Sequence, residues 1–238
     1  MRIFCSSKQA IKKRVANRYD GTFVKTSEGH MVVVSSISRW NVIFDNDSPD
    51  GPPMPLLGAR SATRIGIPFV SRDGFTWDLT RRRLVGEAIK KERERLAGNH
   101  EHTWEEAFET VRPRLTTPGL VLGYGDFDYE FSIGTNDPDK MHQFLADDSY
   151  REYLQQRSTV FLTAEREDEW LASIAEGLAQ DIGVLYVHCS RLVKDETEVQ
   201  ELYDLLDRTI ERLADIGSAE PVRPGFLGVS GRLQIDAP

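Results

Sequence analysis

The chain has 238 residues, 39% hydrophobic and 29% charged, and its 30 basic against 38 acidic side chains give a formal net charge of -8. That length can bury a full core without covalent staples. The acidic balance argues against broad nucleic-acid binding, which needs clustered Lys and Arg on phosphate. Cys5 and Cys189 are the two cysteines, and without a C-x-x-C pair they read as free thiols, not as a redox or zinc motif.

The opening Met1-Arg2-Ile3-Phe4-Cys5-Ser6-Ser7 turns polar too soon for a signal peptide, and no run of about 18 apolar residues follows. No membrane partner is expected, and the cytoplasm is the expected location. After Ser7, the spacing of Ala10, Ile11, Val15 and Tyr19 predicts a helix that stops before the turn pair Asp20-Gly21. Three β-branched and aromatic runs around Phe23, Val32–Val34 and Val42–Phe44 then predict an antiparallel meander.

Residues 45 to 61 read as loop. Two strands follow, 64–70 and 75–79, with Arg72-Asp73-Gly74 as a hairpin turn between them and Pro68 marking an edge or a bulge. Residues 84–117 form a charged helical insert with a thin apolar stripe, and it is expected to project from the body.

Phe127 to Ile133 alternates apolar and polar, which predicts a half-buried strand. Asn136 or Asp137 caps the next helix, Tyr150, Tyr153 and Leu154 lie on another, and strands follow at 160–163 and 183–189. Residues 167–180 fit either helix or loop. The final helix is the plainest: Asp195 caps it, Glu198 completes a capping box, Val199, Leu202, Leu206, Ile210 and Leu213 recur at helical spacing, and Gly217 stops it. The Pro- and Gly-containing stretch 218–238 reads as a loosely held tail.

The fold class is therefore α+β: mainly antiparallel sheet with flanking helices, a long C-terminal helix on the core and a projecting insert. Residues 1–217 read as one domain, with possible subdomains 1–83 and 118–217.

Three acidic or basic stretches could carry chemistry. Asp126, Asp128 and Glu130 would share one face of the expected strand, where clustered carboxylates can hold a metal or divide acid and base roles. The opposite face, with Phe127, Tyr129 and Phe131, would be core. Asp45, Asp47 and Asp50 resemble a calcium loop, but Gly51 comes one place late and no closing Glu follows. Arg81, Arg82 and Arg83 could clamp an anion bidentately. The solvated-surface reading outweighs each of these. His100 and His102 supply only two ligands, and His188 and Cys189, adjacent on a strand, point to opposite faces and form no dyad. No cofactor motif is present.

Thr63-Arg64-Ile65 with Pro68 to Phe75, Gly125 to Phe131 with the Asn136-Asp137 cap and Phe144-Leu145, and the strand and long helix from Val184 to Ile216 resemble segments of an uncharacterised bacterial protein family, a domain of unknown function. The resemblance is strongest at 63–79, 125–155 and 184–217. It implies a cytosolic bacterial α+β protein and supplies no catalytic residues; the insert at 84–117 departs from it. The leading expectation is a non-enzymatic module that binds another protein or itself, with 84–117 as the candidate surface. The alternative is a hydrolase or metal-dependent enzyme built on the carboxylate cluster. A third reading is an anionic-ligand or nucleic-acid binder at the arginines.

Overall fold

Ser7–Arg18 forms α1, which turns Ile11 and Val15 inward as their spacing predicts and buries Ala16 as well. The turn after it needs Gly21 for room, since a Cβ there would meet Val33 Cγ1 at 2.7 Å and Ala16 Cα at 3.2 Å. In the computed structural model, residues 7–26, 31–46, 63–83, 120–157, 161–166, 169–176, 181–189, 191–225 and 233–236 are described. The insert 84–117, Asp47, Asp50, His100 and His102 lie outside them.

The strands β1 (Thr22–Lys25), β2 (Met31–Ile37) and β3 (Trp40–Asp45) pair in succession as an antiparallel meander. Then come β4 (Thr63–Ser71), β5 (Trp77–Arg81), the short helix α2 (Asp126–Glu130) and β6 (Phe131–Thr135). Helices α3 (Pro138–Phe144) and α4 (Asp148–Gln155) follow, capped by Asp137 and Asp147. The remainder is β7 (Phe161–Arg166), α5 (Glu169–Ile174), β8 (Ala175–Glu176), β9 (Ile182–Cys189), α6 (Glu196–Asp215), β10 (Ala219–Pro221), β11 (Arg223–Gly225) and β12 (Leu233–Asp236).

Among the described residues the main sheet has nine strands in the order β1-β2-β3-β4-β9-β7-β5-β6, with β10 also on β4; β11, β12 and β8 form a small second sheet. Every described pairing in the main sheet is antiparallel. The α+β class with a C-terminal helix on the core is what the sequence leads one to expect.

Three expectations about the sheet change. Arg72-Asp73-Gly74 reverses the chain, with Gly74 at φ 70, but β4 and β5 do not pair, because β9 and β7 lie between them. A glycine turn fixes a reversal, not a partner. Pro68 sits in a central strand rather than at an edge. Its place is the break between residues 64–66, which pair with β3, and 69–71, which pair with β10; a residue without an N–H is tolerated where a ladder is interrupted. Finally, residues 219–221 are a strand of the main sheet and not part of a loose tail.

The sheet has two buried faces. On the first, Phe44, Ile65, Ile67, Leu79, Ile133, Leu162, Leu185 and Val187 pack against α1, α3, α4 and the stripe of α6. On the second, Val32, Val34, Ile43, Val70, Ile182 and Val184 meet Leu171 and Ile174 of α5 and Val222. Glu198 does not close a capping box; it pairs with Arg191, while Asp195 caps Thr197 N at 3.0 Å.

No helix among the described residues is long and apolar enough to cross a membrane.

Candidate functional site

Asp126–Glu130 is a turn of helix, not a strand, so its three carboxylates do not share one face. The reason is local. The carboxylate of Asp128 accepts from the amides of Gly123 and Tyr124, each at 2.8 Å, and of Leu122 at 3.3 Å. This folds the Leu122–Tyr124 loop back over the helix start, where acids also suit the helix dipole. Phe127 and Phe131, four residues apart, stack at 4.5 Å on the buried side. Tyr129, expected in the core, is 82% exposed, and Val121 on the neighbouring loop is 71% exposed.

The three acids therefore part company. Asp126 is exposed, Asp128 is bound to the loop, and Glu130 meets Arg81 at 3.0 Å. Gln155 donates to the other oxygen of Glu130 at 3.4 Å. Two sequence candidates, Glu130 and Arg81, thus come together as an ion pair. The Arg81 guanidinium also donates to the carbonyl of Gln155 and stacks on Phe131 at 5.3 Å. Arg82 Nε donates to the Phe131 carbonyl at 3.0 Å, and Arg83 is exposed. The arginines do not converge on one point as an anion clamp would require.

Around the tip, Tyr124 is held from several sides. The Arg151 guanidinium lies 3.9 Å from its ring centroid. Its hydroxyl donates to the carbonyl of His142 at 3.0 Å and lies 3.2 Å from His142 Nδ1. Burial outweighs the Arg151 charge and holds the Tyr124 phenol above its ordinary pKa. Asp148 and Glu152, on α4, are exposed, Asp148 pairs with Arg151, and α2 and α4 are in contact.

The calcium-loop reading also changes. Asp45 is not in a solvated loop but is the last residue of β3, fully buried, and Asn46 beside it is buried with its amide on the carbonyl of Lys8 at 3.2 Å. Asp47 and Asp50 lie outside the described residues. Among the described residues no group of three His, Cys, Asp or Glu side chains could hold a metal.

Sequence reasoning missed one constellation. Asp45 lies opposite Arg64 in the β3–β4 register, and Arg64 lies opposite His188 in the β4–β9 register. The three form a lateral row on the second face, with relative exposures of 0%, 3% and 5%. Burial, and next the Arg64 charge, lower the His188 pKa to about 4. Cys189 points to the other face, into the helix-packed core, and burial pushes its thiol up to about 12, out of the range of a working nucleophile. The only signal in the sequence was a single Asp, Arg or His near one end of each of three largely apolar strands.

Comparison with family models, curated proteins and solved structures found no match to this chain.

Proposed function

We propose that the protein is a non-enzymatic interaction module, and that it meets another protein through the tip carrying Val121 and Tyr129. The observation behind this is a large aromatic side chain left 82% exposed on a turn that Asp128 ties down. A tyrosine on a rigid support loses little entropy on docking, which is why such residues anchor interfaces. The exposed Asp126, three residues before Tyr129 on the same turn, favours a partner that brings an Arg or Lys side chain.

The readings built on the carboxylates and the arginines have less support. Asp128, Glu130, Arg81 and Arg82 are each engaged inside the fold. A photoreactive residue at position 129 of the full chain tests the proposal in cell extract. One discrete protein adduct is expected, weakened about tenfold or more by Val121→Ser and absent with the probe at Gln200 on α6. Diffuse labelling of many proteins, or equal labelling from both positions, refutes it.

A further inference from the structure

The second face of the sheet changes character along its strands. Ile43, Val70, Ile182 and Val184 are aliphatic, but the same face ends in Asp45, Arg64 and His188. Opposed residues of an antiparallel ladder hold their Cβ atoms about 4.5–5.5 Å apart. The imidazole of His188 therefore lies beside a guanidinium in a place that water scarcely reaches.

Asp45 faces that guanidinium from the β3 side, but no described neighbour brings a carboxylate against the His188 ring itself. Phe161, on β7, presents its ring edge-on at 5.9 Å. Tyr186, two residues back on β9, carries the Arg64 guanidinium 5.0 Å from its ring centroid and donates its hydroxyl to Glu165 of β7 at 3.0 Å. Thr163 of β7 is uncharged, and α5 brings Leu171 and Ile174 to this face. Among the described residues, the nearby carboxylates are Asp45, separated from His188 by β4, and Glu165, engaged by Tyr186. His188 Nδ1 is buried, with no hydrogen-bond partner among the described residues. Burial first, and the adjacent guanidinium second, favour the neutral ring in this site.

We propose that His188 is an acid trigger: a proton gained there sets an imidazolium against Arg64 and opens this end of the sheet between β4 and β9. The direction follows from linkage. The folded-state pKa of about 4 lies below the ordinary 6.5, so the open chain binds the proton better. The stabilisation is complete above pH 6.5 and is lost as pH falls toward 4. From pH 7 to 4 the ratio of closed to open molecules drops on the order of 100-fold, approaching its limit of about 300-fold only below pH 4.

The test follows the His188 ring by NMR, together with amide exchange in β4 and β9, from pH 7 to 4, in the full chain and in His188→Gln. The wild type is expected to lose protection in Arg64–Val70 and Ile182–Cys189 as the ring titrates, whereas His188→Gln keeps its protection over the same range. Identical pH profiles for the two proteins overturn the proposal. So does a ring that titrates near 6.5 with protection intact. Should His188→Gln not fold, the wild type alone decides, because ring protonation and strand opening must then coincide.

Discussion

Asp128 gathers the amides of Leu122, Gly123 and Tyr124 onto one carboxylate, and no other described side chain caps that loop. Hydrogen bonds to a charged acceptor are worth roughly 1.5–3 kcal/mol each in favourable settings, and less where water competes. The loop is partly exposed, so Asp128→Ala is expected to cost about 1–3 kcal/mol in total, read as a lower urea midpoint. Amide exchange at Gly123 and Tyr124 should rise with it, and capture through Tyr129 should weaken even where the fold persists. A catalytic Asp128 predicts instead an unchanged midpoint. The sequence made this residue look like one of three equivalent acids. What distinguishes it is a contact four to six residues back in the chain, made only because residue 128 is helical.

The strand expectation for α2 fails for an instructive reason. Phe127 and Phe131 are four apart, so they share a face in a strand and also in a helix, and a five-residue segment is too short for the period to decide. The choice is made by Gly125, at φ 60, and by the Asp128 cap. In α6 no such ambiguity exists. Its apolar stripe runs through 20 residues, and Val199, Leu202, Leu206, Ile210 and Leu213 are all buried. Less visible is how the ends of α3 are satisfied. A helix leaves its last carbonyls without internal partners. Here Tyr124 donates to His142, Arg212 donates to Gln143 at 2.9 Å and Phe144 at 3.0 Å, and Arg151 donates to Leu145. Arg212 thereby ties α6 to α3. Arg212→Ala should cost about 1–3 kcal/mol and show most strongly as faster exchange in α3. A uniform loss across all helices would mean that its main role is elsewhere, such as its favourable place in the last turn of α6.

At the scale of the whole molecule, strand order is the part that no local pattern carries. The row Asp45–Arg64–His188 exists only because β4 lies between β3 and β9, and these residues are far apart in sequence. The C-terminal stretch shows the same limit. Its Pro and Gly content resembles a loose tail, yet three residues in register suffice to place β10 along β4, just beyond the end of β3. Ala219 and Val222 are buried at 3% and 4% exposure, and Ser218 donates to Asp73 at 2.9 Å, beside Lys140 of α3. β10 thus covers Phe69–Ser71, an edge of a central strand that would otherwise be open to pairing with other chains. Ending the chain at Gly217 removes the β10–β4 ladder, the small sheet that β11 and β12 make with β8, the buried Ser218, Ala219 and Val222, and the Ser218 bond to Asp73. The expected cost is about 2–4 kcal/mol, with concentration-dependent association as the uncovered edge finds partners. Urea unfolding gives the first quantity and sedimentation the second. A truncated protein with the full-length midpoint and an unchanged mass would mean that β10 rests on the sheet without supporting it.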